Sequence, residues 1–188
     1  MSLSLGELCF LVVDDNDYVR RLLRRVFVSF GVGKVVEAED GEAGYEIFRS
    51  GAFDIVFADW MMEPVDGLTL VRNIRNRSDS PDACVPIIMV TAYTEQQRVE
   101  QARDAGVNEI LAKPFTINGI VSRLEAVIER PRPFVRVEGY FGPDRRRRIN
   151  LEHDGPERRA SMTSGGLEKS QDEALKSVSA RVGAMSRR

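Results

Sequence analysis

Five short apolar runs recur along the first 130 residues, and their spacing restricts the fold more than any other feature. They are Leu8–Val13, Val32–Ala38, Asp54–Asp59, Val85–Thr91 and Val107–Ala112. Their length and β-branched content read as strands buried on both faces, as in parallel sheets. The segments between them carry helical periodicity. Val19, Leu22, Leu23, Val26, Phe27 and Phe30 fall on one stripe, as do Ile117, Ile120, Val121, Leu124, Val127 and Ile128. Shorter helices fit Gly41–Arg49, Gly67–Arg77 and Glu95–Asp104. Five such repeats predict an α/β fold, a doubly wound five-stranded parallel sheet with helices on both faces. Ligands of these sheets bind beyond the carboxyl ends of the strands, so the chemistry belongs where the runs stop.

At those ends stand Asp14, Asp15, Asp59, Thr91 and Lys113. Singly, each has a plain reading. Asp14 and Asp15 suit a helix N-cap, Asp59 a turn, Thr91 a cap and Lys113 a solvated charge. Jointly they do not. Three carboxylates at one sheet edge repel by about 4 kcal/mol per close pair at a surface-like dielectric. A lysine and a divalent cation relieve that repulsion, and hard oxygen ligands with waters suit magnesium.

The same residues, in order, carry a family resemblance. Val12-Val13-Asp14-Asp15, Asp59 with Met62 and Asp66-Gly67, Thr91-Ala92, and Lys113-Pro114-Phe115 resemble the receiver domain of two-component response regulators, of the chemotaxis-regulator kind. The likeness spans about residues 7–130. It implies a flavodoxin-like sheet and an Asp59 that accepts a phosphoryl group from a partner's phosphohistidine. It further implies magnesium held by Asp14, Asp15, Asp59 and the Met61 main-chain carbonyl. Thr91 would bond the phosphoryl oxygens and Lys113 would pair with their charge, with a cis peptide between Lys113 and Pro114. The implied partners are a sensor histidine kinase or histidine phosphotransfer protein and an unidentified output protein, with room for a homodimer. Such a chain is not itself an enzyme beyond slow self-dephosphorylation.

Five positions depart from the family pattern. Ile110 stands where an aromatic residue is common, which calls into question the aromatic switch coupled to Thr91; Tyr93 is the candidate substitute. Glu63 and Pro64 displace a common proline by one place, so the loop beside Asp59 is expected to take its own path. Met61 and Tyr93, each two residues past a site residue, offer no acid or amide to orient water.

The net charge of −2 conceals a split. Residues 1–130 hold 14 basic and 21 acidic residues, and residues 131–188 hold 13 and 8. The expected organisation is a receiver domain at 1–130, a basic, aromatic-containing extension at 131–160, and a disordered tail at 161–188. Pro131 and Pro133 should end the last helix. Phe134, Val135, Val137, Tyr140 and Phe141 then suggest an extra strand or an arm packed on the domain. Arg145–Arg148 follow, with a weak echo at Gly155–Arg159, and Leu175, Val178, Val182 and Met185 could stripe a short helix. Cys9 and Cys84 give no disulfide framework, which points to a cytoplasmic location. His153, the single histidine, argues against a multi-histidine metal site. No stretch approaches the roughly 20 apolar residues of a membrane span.

Three functions compete at this stage. The first is a phosphoacceptor module that switches protein–protein interactions. The second is a nucleic-acid-binding regulator acting through the arginine-rich tail. The third is a phosphohydrolase of the haloacid dehalogenase type, whose Asp-x-Asp-x-Val signature Asp15–Val19 imitates. It ranks last because it leaves Asp59 without a role.

Overall fold

The computed structural model describes residues 5–93 and 95–145, and each apolar run within them forms a strand. In chain order the elements are β1 (Cys9–Val13), α1 (Asp17–Ser29), β2 (Lys34–Ala38), α2 (Gly41–Ser50), β3 (Ile55–Asp59) and α3 (Gly67–Asn76). There follow β4 (Ile87–Thr91), α4 (Gln96–Ala105), β5 (Glu109–Ala112), α5 (Ile117–Ile128), β6 (Phe134–Val137) and β7 (Tyr140–Pro143). The first five strands make one parallel sheet in the order β2-β1-β3-β4-β5.

Alternation along each strand lets this sheet serve two cores. Phe10, Val12, Ile55, Phe57, Ile88 and Val90 face α1 and α5, where Leu23, Phe27, Ile120 and Leu124 meet them. Leu11, Val13, Val56, Ala58, Ile87 and Met89 face the other way, against Tyr45, Phe48, Leu70, Ile74 and Ala102 of α2, α3 and α4. Phe27 packs into the first core edge-on to Phe10, with ring centroids 5.1 Å apart, and 4.6 Å from the Phe57 ring.

The strand order reverses direction between β1 and β3, the switch point where open α/β sheets bind ligands. Register does the rest. Val13 lies opposite Ala58, Asp59 opposite Val90, and Thr91 opposite Ala112. Asp14, Asp59, Thr91 and Lys113 therefore leave the sheet at one level.

The aromatic segment after α5 is neither a sixth strand of the main sheet nor a single arm. It folds as an antiparallel hairpin, β6 with β7, turning at Glu138-Gly139 with Gly139 at φ 74°. Phe134 and Phe141 pack together across it at 5.6 Å, and the hairpin lies against α3 and α4. Arg146–Arg148, His153, the Gly155–Arg159 echo, the tail from Ser161 and the Leu175–Met185 stripe lie outside the described residues. Among the described residues, no helix is long and apolar enough to cross a membrane.

Candidate phosphoacceptor site

The loop after β1 builds the first wall. Asn16 caps α1, accepting from the main-chain N–H groups of Tyr18 and Val19. The capping role thus falls to Asn16 rather than to Asp14 or Asp15, and both aspartates are left for other work. Asp14, only 1% exposed, accepts the Asn16 N–H at 2.9 Å with one carboxylate oxygen. Arg20, one turn into α1, donates to the main-chain carbonyls of Asp14 (2.7 Å) and Asp15 (3.2 Å). That clamp was not read from the sequence, although an arginine one turn behind an Asp-Asp-Asn cap is a usable signal.

Asp59 ends β3 and is also buried. Its loop is drawn tightly back. The Gly67 N–H donates to the Trp60 carbonyl at 3.0 Å, and a Cβ on Gly67 would lie 1.9 Å from the Asp59 carbonyl oxygen. Only glycine permits that approach. Asp66 then caps α3 by accepting the Thr69 N–H. The loop's own path, expected from Glu63 and Pro64, includes a cis Glu63–Pro64 peptide, and the expected cis Lys113–Pro114 bond is present.

Lys113 is not a solvated charge. Its ammonium donates to Asp14 Oδ2 and Asp59 Oδ1, each at 2.8 Å, and so bridges the two buried carboxylates. Burial alone would lower its pKa, but these two bonds outweigh burial and hold the ammonium above the ordinary lysine value. Burial pushes the Asp59 carboxyl above its ordinary value; Lys113 opposes the rise and Asp14 adds to it. Thr91, fully buried, is tied to a local turn, its Oγ1 accepting the Tyr93 N–H at 3.0 Å. A hydroxyl that accepts one bond retains a donor for another partner.

Asp14, Asp15 and Asp59 each present a carboxylate oxygen, all within 4.8 Å of one another. Asp15 is exposed and the other two are buried, so the cluster opens to solvent on one side. Hard, anionic oxygens with room for waters are the donor set that magnesium takes. Met61 (51% exposed) and Tyr93 (37%) border this edge in the open, and neither carries an acid or amide. Ile110, partly buried, lines a cleft of about 230 Å³ with Val99, Arg103 and Arg123. The Asp15–Val19 spelling that imitates a phosphohydrolase is a helix start, and its Asp17 pairs with Arg20 and Arg21.

Residues 10–125 match the family model of the response regulator receiver domain. The chain is 33% identical over 120 residues to chemotaxis protein CheY-3 of Vibrio cholerae, covering 64% of this chain and 91% of that protein. It is equally similar to chemotaxis protein CheY of Pseudomonas aeruginosa, covering 64% and 95%. The solved structure of chemotaxis protein CheY4 of Vibrio cholerae aligns with a TM-score of 0.60 at 25% identity, covering 64% of this chain and 98% of that one. The matched span runs through every strand end that carries a charged or hydroxyl side chain at the site, and the chain belongs to the response regulator receiver domain family.

Proposed function

We propose that this chain is a phosphoacceptor response regulator of a two-component phosphorelay, and that phosphorylation of Asp59 switches its protein–protein interactions. The observation that carries this reading is Lys113 bridging Asp14 and Asp59 at 2.8 Å beside a third carboxylate, Asp15. An acidic cluster with one half-buried lysine is suited to receiving a phosphoryl group. A carboxylate oxygen of Asp59 attacks phosphorus in line, the P–O bond forms, and the P–N bond of the donor phosphohistidine breaks with its electron pair left on the imidazole. Lys113 keeps its proton throughout and can follow the charge from carboxylate to phosphoryl oxygen. Thr91 offers its hydroxyl donor to another of those oxygens.

Magnesium, held by Asp14, Asp15, Asp59 and the Met61 carbonyl, supplies positive charge that offsets the oxygens' negative charge when bound. The donor is a sensor histidine kinase or a histidine phosphotransfer protein, the output is a partner protein, and the setting is cytoplasmic. The chain has no catalytic output of its own in this reading and at most dephosphorylates itself slowly. Nothing among the described residues favours nucleic-acid binding, since Arg145, the described member of the arginine run, pairs with Asp104 at 2.9 Å.

Acetyl phosphate with magnesium should add one phosphoryl group to the wild-type chain, and Asp59→Asn should abolish the addition. Labelling that persists in Asp59→Asn, or that proceeds without metal, would overturn the assignment.

A further inference from the structure

Arg98 does work that neither the sequence motifs nor the site chemistry assigns. It lies in the first turn of α4, and its guanidinium sits 4.6 Å from the Tyr93 ring centroid and 5.4 Å from that of Trp60. Trp60 is covalently next to Asp59 and buried. Tyr93 gives its main-chain N–H to Thr91 Oγ1. One guanidinium thus spans two loops, one behind the acceptor and one behind the hydroxyl.

We propose that Arg98 is a positioning residue that couples Asp59 to Thr91, and both to α4, through the Trp60–Arg98–Tyr93 stack. The proposal rests on the phosphoacceptor reading of Asp59. When the Thr91 hydroxyl donates to a phosphoryl oxygen, Oγ1 can keep the Tyr93 N–H it already accepts. Any shift of Thr91 toward Asp59 therefore pulls Tyr93, and Tyr93 pulls the guanidinium resting on its face. Ile110, aliphatic and packed against the same core as Trp60, has no polar atom with which to follow that hydroxyl.

The construction of α4 makes its first turn responsive. Its N-cap residue Glu95 makes no side-chain cap bond. Its buried side chains are Ala102 and Ala105, both in the second half of the helix. Small residues give little packing, and in the first half only Arg98 and Val99 are even partly buried, so what Arg98 holds is a large share of that half's anchoring. A cation–π contact at a partly exposed site corresponds to roughly a two- to fivefold bias in an equilibrium, enough to tilt a loop without locking it.

The test uses the full chain, acetyl phosphate and magnesium, and four variants: Arg98→Ala, Arg98→Lys, Tyr93→Leu and the Arg98→Ala/Tyr93→Leu double. The loading rate of Asp59 is measured together with the change in emission on loading of Trp60, the single tryptophan. Arg98→Ala should slow loading by about fivefold and reduce the emission change by more than half. Arg98→Lys should recover most of both, because an ammonium is also drawn to ring faces. The double variant should be no slower than the slower single, since both remove one linkage. Wild-type loading and emission change in Arg98→Ala would overturn the proposal. So would single effects that multiply in the double, or an Arg98→Lys variant as impaired as Arg98→Ala with a lowered melting temperature in both. A wild-type chain that takes up no phosphoryl group at Asp59 would instead remove the underlying reading, and this inference with it.

Discussion

Lys113 solves a local electrostatic problem, and the solution is lopsided. Two buried carboxylates share one ammonium, so the group keeps a net negative charge at a site that water reaches from one side only. Asp59 bears the cost, its carboxyl lying above the ordinary range because burial disfavours its charged form. A native-state acid with a raised pKa binds its proton more readily than the unfolded chain does. Stability from this group is therefore greatest in acid and is lost as pH rises through the native value. In chelator, Asp59→Asn should accordingly be more stable than wild type near neutral pH, and the gain should shrink as the solution is acidified toward the carboxylate range. Urea unfolding at both pH values checks this; a gain that is equal at both would mean the Asp59 charge costs nothing. Lys113 works in the opposite sense, since its raised pKa gives stability that is fully present below the ordinary lysine value and lost as pH rises through the native one. Met61 bears on lifetime rather than stability. Half-exposed and apolar, two residues past Asp59, it cannot orient an attacking water. Met61→Asn should shorten the life of the phosphorylated state, each ~1.4 kcal/mol of transition-state stabilisation giving tenfold in rate. An unchanged or slower decay would remove the argument.

At the level of elements, the glycine that opens α3 decides where Asp59 sits. A methyl group at Gly67 has no free volume, since the Asp59 carbonyl oxygen occupies its place, and the clashing atom is backbone that cannot rotate away. Gly67→Ala should cost roughly 1–3 kcal/mol and slow phosphoryl loading, because α3 and the acceptor loop must separate. An unchanged denaturation midpoint would show that the loop relaxes freely. The neighbouring cap offers a contrast: Asn16→Ala should cost about 1 kcal/mol, as a lost N-cap usually does. All ten elements of the main sheet and its helices were legible from periodicity, because parallel strands are buried on both faces and read as continuous apolar runs. The strand starts were read one or two residues early for a physical reason. Leu8, Val32, Val85 and Val107 are buried, yet they precede the strands they were assigned to. Hydrophobicity reports burial, whereas the ladder depends on hydrogen bonding. The site was legible for a related reason, since charged residues ending buried runs must converge at one sheet edge. Arg98 and Arg75 were not, because their partners are carbonyls, an amide and ring faces, which leave no complementary charge in the sequence.

On the scale of the whole molecule, the question is what holds the segment after α5 to the sheet domain. Opposite charge suggests itself, an acidic body against a basic extension, and Arg145 does pair with Asp104 while Arg132 pairs with Glu109 at 3.6 Å. Magnitudes argue otherwise. The Arg145–Asp104 pair is exposed, and such pairs are worth about 0–1 kcal/mol and are screened within about 8 Å at physiological salt. The mostly buried Arg132–Glu109 pair has its attraction offset by desolvation. Packing offers more. Arg75, fully buried and lowered to about 10 by burial, donates to the Gly106 and Ala83 carbonyls and to Asn108 Oδ1, and Phe134 of the hairpin covers its guanidinium at 5.0 Å. Behind it the chains touch backbone to backbone. A Cβ on Gly142 would meet the Gly106 Cα at 2.8 Å and the Tyr140 hydroxyl at 2.6 Å. Gly106 itself, at φ 99°, ends α4, so the hairpin is seated on a helix terminus that cannot shift without disturbing β5. If packing governs, amide hydrogens of residues 134–141 should stay protected from exchange when salt is raised, and Gly142→Ala should expose them while lowering stability by about 1–3 kcal/mol. Neither residue touches the acidic edge, so phosphoryl loading of Gly142→Ala should remain at the wild-type rate. Protection that fades with salt would return the hairpin to electrostatic control. Full exchange of 134–141 in the unmodified chain at low salt would mean that the segment is a free linker.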